Sequence, residues 1–289
     1  MIVLYGTVHG NDLARKLDRS MLDLPLVSGS VLSHQLLGAR SCAQRLGIDE
    51  FDARVLIDEA SDLPRSQSLV DEFECSVEHD VGPIRGVAGV LSDATKDYDD
   101  DEYILVSSGA QVFIEPLGDL VNAMMKKKAD VSFVSSVDGS PVGLWLIRCG
   151  VLRSVNPVGY IDLKEQALSA WKTEHKVSVV ERQRPYAHSA RSLSEYIGAI
   201  RAAQAGIGSG STIDEDPYRE DWESSFSIIE PGAQVDSGVV LHDSVVLAGA
   251  KVSKGAVIVR SVICAGAKVE SGARVTDQVV DSVVKKGGR

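Results

Sequence analysis

The last quarter of the chain carries a short repeat that restricts its fold more than any other feature. From Ile229 onward an aliphatic side chain returns every five or six residues, and Cys264 takes one of these positions. The aliphatic positions are Ile229, Val235, Leu241, Leu247, Val252, Ile258, Val269 and Val275. Small pairs such as Gly249-Ala250 lie between them and suit tight corners, because glycine adopts positive φ without a Cβ clash. The pattern predicts a left-handed parallel β-helix of hexapeptide repeats over residues 228–284, since hairpins would alternate with a period of two.

The preceding residues alternate strand-like and helix-like stretches, which favours an α/β domain with a mostly parallel sheet and helices on both faces. The expected strands are Ile2–Tyr5, Arg54–Ile57, Tyr103–Ser107, Val131–Ser135, Leu144–Ile147 and Val177–Val180. The expected helices are Val31–Leu46, Gly118–Lys128, Leu163–Lys172 and Leu193–Ala205. We therefore expect an α/β domain over 1–204, a Gly/Ser/Asp-rich linker over 205–227 and a tail over 285–289. Ligands of such sheets bind at the carboxyl ends of the strands.

Charge and cysteine content limit the partners. The net charge of −11 disfavours nucleic acid and anionic membranes. The four cysteines are far apart and form no CxxC pair, which disfavours zinc and a disulfide framework and fits a reducing cytoplasm. Neither a signal peptide nor a transmembrane run is expected.

Several segments resemble, in order, the nucleotidyltransferase family of sugar-nucleotide pyrophosphorylases, of the mannose-1-phosphate guanylyltransferase or glucose-1-phosphate nucleotidyltransferase type. The most specific is the repeat itself, DSVVLAGAKVSKGAVIVRSVICAGAKVESGARV. The weaker matches are PLVSGSVLSHQ at 25–35, GVAG at 86–89, YILVSSGAQVF at 103–113, VGLWLI at 142–147 and YIDL at 160–163. The resemblance implies a Rossmann-like nucleotidyltransferase domain before the β-helix, and an activity that joins a nucleoside triphosphate to a sugar 1-phosphate.

The positions that carry the family's chemistry do not match. Met21 stands where the resemblance places a lysine, and the loop after the first strand lacks the arginine of the family's Gly-rich pattern. Ser108-Gly109-Ala110 stands where the family has the Asn-Gly-Asp that would bind magnesium. His188 stands near the position at which the resemblance places the family's second magnesium-binding aspartate. A methyl group cannot coordinate a hard cation. Removing charge-stabilising groups that act together leaves little catalysis, which predicts a pseudoenzyme with no catalytic or metal-binding residues.

The candidate nucleotide- or sugar-binding residues are Gly6, Gly10, Gly86, Ala88, Gly89, Gly109, Gly143 and Asp162. Each also has a structural explanation: the glycines suit turns, and Asp162 suits a helix N-cap. Magnesium is expected only under an alternative hypothesis, an active enzyme that uses Asp12, Asp23 or Asp138. A third hypothesis is an acyltransferase or scaffold built on the β-helix and involving His242. In each case the β-helix predicts homo- or hetero-oligomerisation, because its open end exposes apolar residues.

Overall fold

The computed structural model describes residues 1–5, 12–48, 52–57, 64, 75–79, 85–135, 141–208 and 225–281. The chain divides into two compact units. The first contains residues 1–9 and 35–186, and the second contains residues 10–34 and 187–289. The second unit thus joins an amino-terminal segment to residues 187–289, and the domain boundaries drawn from the sequence stay a prediction.

The helices and strands of the described residues are numbered in chain order. The helices are α1 (Asp12–Leu17), α2 (Val31–Leu46), α3 (Gly86–Ala94), α4 (Leu117–Met125), α5 (Cys149–Leu152), α6 (Leu168–Glu174) and α7 (Leu193–Gly208), with a 3-10 turn at Met21–Asp23 and a π-helical turn at Leu163–Ala167. Strands of the first part are β1 (Ile2–Tyr5), β2 (Ala53–Ile57), β3 (Cys75–His79), β4 (Tyr103–Ser108), β5 (Gln111–Phe113), β6 (Val131–Ser135), β7 (Pro141–Arg148), β8 (Val177–Glu181) and β9 (Ala187–Ser189). Strands of the repeat are β10 (Ser227–Ile229), β11 (Gln234–Val235), β12 (Val240–His242), β13 (Ser244–Val246), β14 (Lys251–Val252), β15 (Val257–Val259), β16 (Val262–Ile263), β17 (Lys268–Val269), β18 (Arg274–Thr276) and β19 (Val279–Val280).

The first unit is built on a seven-stranded sheet in the order β3-β2-β1-β4-β7-β6-β8. All strands are parallel except β7, which runs antiparallel to both β4 and β6. The mostly parallel sheet and its six expected strands are confirmed. β3 was not expected, because its sequence CSVEH lacks an apolar run and its residues are mostly exposed or half-buried.

Helices cover both faces of this sheet. Ile104 and Val106 of β4 pack in a core with residues of α3, the π-helical turn and α6. The intervening Leu105 points to the opposite face, where it lies with residues of α2 and α4. The alternation along one strand therefore confirms an α/β sandwich with helices on both sides.

The second unit contains the β-helix. Each strand pairs in parallel with the strand one coil later, so that Leu241 lies beside Ile258 and Ile258 beside Val275. Positive φ marks the corners: Gly249, Gly255, Gly266 and Gly272 lie between +70° and +83°, as expected from the small pairs. A third row of corners uses non-glycine residues in the same conformation: Asp243, Arg260 and Asp277.

One detail of the repeat prediction is wrong. Ile229 is 47% exposed and pairs with Val246 rather than Leu247. The residue that corresponds to Leu247 is Glu230, whose carboxylate forms a bidentate pair with Arg19, at 2.7 and 2.9 Å from Nη1. A polar contact thus replaces the aliphatic one in the first coil.

Candidate functional site

The carboxyl edge of the parallel strands is where β1, β4 and β6 end at Tyr5, Ser108 and Ser135. A tight turn at Gly109-Ala110 follows β4 and leads into β5. The amide of Gly109 donates to the carbonyl of Leu4 at 2.7 Å, which extends the β1–β4 ladder by one bond. This turn holds Ala110 where the resemblance places a magnesium ligand.

A buried glutamine supports this turn from behind. Gln35 lies in α2 and is fully buried. Its Nε2 donates to the carbonyls of Ser108 and Gln111 at 3.0 and 2.8 Å, and its Oε1 accepts from Ser107 Oγ at 2.8 Å. All three partners lie on the segment from β4 to β5, so this neutral network fixes the backbone at the end of β4.

The sequence around Gln35 carries a signal for its buried position. Leu32, Leu36, Ala39 and Ala43 form the buried stripe of α2. Gln35 lies beside that stripe, and a polar side chain on an apolar helix face indicates a buried hydrogen-bond network.

Two buried polar atoms at this edge have no hydrogen-bond partner among the described residues. They are Oε1 of Gln111, whose residue is 8% exposed, and Oγ of the fully buried Ser135. A Cβ atom added at Gly143 would approach Gln111 Nε2 at 3.1 Å, so the glycine leaves room for this amide. A buried polar atom without a partner costs about 1–3 kcal/mol, and such atoms call for an explanation.

An ion pair lies close to the end of β6. The amide of Arg182 donates to the carbonyl of Ser135 at 3.1 Å, and its guanidinium lies 3.0 Å from Oε2 of Glu115. Both side chains are partly exposed. The pair therefore places one cation and one anion near the edge without a net charge.

The donor set at this edge does not fit magnesium. The described residues contain no group of three or more His, Cys, Asp or Glu side chains placed to hold a metal ion. Gln35 Oε1 is already used by Ser107, and the Gln111 amide is neutral. Magnesium in proteins is held through carboxylates and phosphates, so the neutral groups at this edge suit the hydroxyls of a ligand better than a metal ion.

The Gly86–Gly89 segment was interpreted as a turn, but it forms the first turn of α3. Gly86 has φ +69°, and a Cβ there would lie 2.5 Å from the carbonyl oxygen of Ile161. That carbonyl accepts from Ala88 N at 3.2 Å. A Cβ at Gly89 would meet Arg85 at 2.9 Å. The close approaches that these small residues permit are therefore with the chain itself.

The remaining candidate binding residues are Asp162, Gly109, Gly143, Gly6 and Gly10, and they are spread along the sequence. Asp162 Oδ1 accepts from the amides of Lys164 and Glu165 at 2.7 and 2.8 Å, so this carboxylate caps the π-helical turn. Gly109 and Gly143 both belong to the carboxyl edge described above. Gly6 and Gly10 lie outside the described residues.

The next residues are those that the resemblance or the active-enzyme hypothesis connects with catalysis. Met21 is fully buried in the 3-10 turn of the second unit. In the same unit, Cys264 Sγ lies 3.6 Å from the carbonyl of Lys16. Asp23 is buried, and the side chains of Asp12 and Asp138 are outside the described residues. Burial lowers the pKa of His188, which favours its neutral form at pH 7.

His242 lies on β12 beside Asp243, with 2.9 Å between Nδ1 and Oδ2. Burial opposes the ionisation of Asp243, but hydrogen bonds from Arg201 and the Phe226 amide outweigh it, so the pKa of this carboxyl is lowered. The Asp243 carboxylate thus pairs with Arg201 and the Phe226 amide and has a structural role at a corner of the β-helix.

Comparison with known proteins supports the architecture. Residues 209–286 match the family model described as GlmU-like, C-terminal hexapeptide. A solved structure assigned as a glucose-1-phosphate thymidylyltransferase from Bacillus anthracis, in complex with sucrose, matches 70% of this chain and 94% of its own with a TM-score of 0.53. The identity is 13%, so the likeness concerns the fold. No curated protein matches the chain by sequence. The chain therefore combines the fold of sugar-nucleotide nucleotidyltransferases with a GlmU-like hexapeptide domain.

Proposed function

We propose that this protein is a catalytically degenerate relative of the sugar-nucleotide pyrophosphorylases that binds a sugar nucleotide or sugar phosphate without transferring a nucleotidyl group. The observation that carries the proposal is the neutral end of β4. Ala110 stands where the resemblance places a metal ligand, Gln35 holds the turn, and Oε1 of the buried Gln111 has no partner among the described residues.

The chemistry follows from these groups. Nucleotidyl transfer develops negative charge on phosphate oxygens and needs preorganised cations to stabilise it. Neutral amides and hydroxyls do not supply such charge, but they recognise sugar hydroxyls well. Gln111 Oε1 is buried in the structure, so a ligand hydroxyl would reach it only after the side chain turns towards the edge. That hydrogen bond would then remove the cost of the unpaired acceptor. This role is regulatory or ligand-sensing rather than catalytic, and it suits a cytoplasmic protein.

The test is a binding panel with UDP-glucose, GDP-mannose, dTDP-glucose, ADP-glucose and glucose 1-phosphate, measured by isothermal titration calorimetry. We expect at least one of them to bind, and Gln111→Leu to weaken it about tenfold, the loss of roughly one hydrogen bond. Gln44→Leu, an exposed glutamine of α2, is the matched control. Binding that Gln111→Leu leaves unchanged would contradict the assignment, and pyrophosphate release from a triphosphate would favour the active-enzyme alternative.

We also propose that the β-helix mediates self-association. On the face formed by β12, β15 and β18, Val240 is exposed and Val257 and Val259 are half-buried. The face formed by β11, β14 and β17 instead carries exposed Gln234, Lys251 and Lys268. These partly exposed valines, next to Arg274 and Thr276 of β18, favour pairing with another surface that has an apolar centre.

Light scattering after size exclusion tests this second proposal. Val240→Lys should shift the protein towards monomer, whereas Gln234→Lys on the polar face should not. An unchanged mass for both variants, or a monomeric wild type, would contradict it.

A further inference from the structure

An apolar cleft of about 470 Å³ opens on the sheet face that carries α2 and α4. It lies entirely in the first unit, near the start of β4 and the end of β7. The start of β4 and the end of β7 lie at the same edge of the sheet, because these two strands are antiparallel. The cleft is therefore at the edge opposite to the one where β4 ends. Its volume falls within the roughly 300–1,000 Å³ of small-molecule sites.

The cleft results from small residues on an otherwise well-packed face. Leu105 and Leu146, directly paired across β4 and β7, form its floor. Met124 of α4 forms one wall, and Ala39 and Ala43 of α2 form the other. The short alanine side chains leave space that larger residues would fill, so the cavity is formed by packed helices and strands.

Large apolar side chains surround the mouth of the cleft. Ile48, Tyr103 and Met125 all line it, and each is between 45% and 50% exposed. Exposed apolar side chains grouped around a cavity, unlike scattered ones, indicate a binding surface.

One cationic side chain belongs to this lining; the amino terminus of Met1 also lies there, and burial lowers its pKa to about 6, which favours its neutral form at pH 7. Lys128 follows α4 in the left-handed conformation, with φ +47°, and it lines the cleft whereas Lys126 and Lys127 do not. The structure records no ion pair for Lys128 with the described residues. Cys42 also lines the cleft, and burial raises the pKa of its thiol, so it stays neutral and adds no charge. The complement of this lining is an apolar body with one anionic group.

We propose that this cleft binds an apolar carboxylate, with its hydrocarbon against Leu105 and Leu146 and its carboxylate at Lys128. Aliphatic burial supplies most of the affinity, and the ammonium selects the anion over a neutral analogue. The site is separate from the proposed sugar-binding edge and depends on none of its residues.

Calorimetric titration with two probes tests the proposal: sodium decanoate below its micellar range, and naphthalene-1-acetate. The first represents fatty acids and the second represents compact aromatic acids, so their relative affinity identifies the source. We expect at least one to bind and decan-1-ol to bind at least about tenfold more weakly. Lys128→Gln should weaken the carboxylate about tenfold, whereas the matched Lys126→Gln should stay within about twofold.

A filling variant checks the location independently of charge. Ala43→Phe should abolish binding of both probes, and circular dichroism establishes whether that variant is folded. If Ala43→Phe does not fold, the comparison of Lys128→Gln with Lys126→Gln decides alone, since both positions are exposed. The proposal fails if neither probe binds, if decan-1-ol binds as tightly as decanoate, or if the two lysine variants behave alike.

Discussion

Replacement of Gln111 by leucine should make the protein more stable while removing its ligand. The side chain is buried, and its Oε1 has no partner among the described residues. A buried acceptor without a hydrogen bond costs about 1–3 kcal/mol, and an apolar side chain of similar size does not carry that cost. Part of the gain is offset by imperfect packing of the branched side chain. We therefore expect the free energy of unfolding to rise by about 1 kcal/mol.

Urea denaturation followed by tryptophan fluorescence, in a Trp222→Phe background, measures this change in the first unit, because the two remaining tryptophans, Trp145 and Trp171, both lie there. Gln35→Met is the opposing control: it keeps the size but loses three hydrogen bonds, and should destabilise by about 3 kcal/mol at roughly 1 kcal/mol each. A residue retained for ligand binding at the expense of stability gives this pattern. If Gln111→Leu destabilised the unit by more than about 1 kcal/mol, the amide would be structural and the reasoning refuted.

Three further outcomes follow from the geometry. Gly86→Ala should lower the free energy of unfolding by about 2–4 kcal/mol in urea denaturation, because the added Cβ meets a backbone carbonyl and the residue has positive φ. Gly47→Ala, with φ +68° but open space around the added Cβ, should lower it by only about 1 kcal/mol. Equal losses would show that the contact with the carbonyl does not matter. Arg19→Met and Glu230→Gln should each lower the melting temperature of the second unit, because each removes the same ion pair, whose side chains are 20% and 13% exposed. The double variant should therefore lose less than the sum of the two, and strict additivity would contradict the pairing. Asp243→Asn should be less stable than the wild type above about pH 4, and the difference should shrink as the pH falls further. The pKa of Asp243 in the folded state is lowered below the unfolded value of about 3.9, so its pairing stabilises the fold only while the carboxyl is ionised. A difference in stability that is constant from pH 7 to pH 2 would argue against this reasoning.

Much of the architecture could be predicted because it depends on local patterns. The six apolar runs form strands, and α2 spans Val31–Leu46 as expected, since buried stripes leave a clear period. The repeat was equally clear, with glycine at two rows of corners. The third row, Asp243, Arg260 and Asp277, could not be recognised, because charged residues in a left-handed conformation carry no general signature. Helix α3 was missed because its two glycines suggest a turn, although Gly86 owes its place to a contact 75 residues away.

The candidate site was less predictable, since its main features are contacts between distant segments. The methyl group of Ala110 in the turn after β4 was visible in the sequence, and so was the apolar character of Met21. The bonds from Gln35 to the end of β4 span more than 70 residues, and no spacing rule reveals them. That Gln111 Oε1 has no partner within the described part of the chain is likewise a property of packing. No described helix is long and apolar enough to cross a membrane.

The most direct test is the magnesium dependence of sugar-nucleotide binding and of pyrophosphate exchange. Calorimetry on the full chain, with EDTA and then with excess magnesium, should give the same affinity for the ligand that binds, and no exchange of labelled pyrophosphate. Affinity that appears only with magnesium, or measurable exchange, would show that acidic groups hold a metal at the strand ends after all.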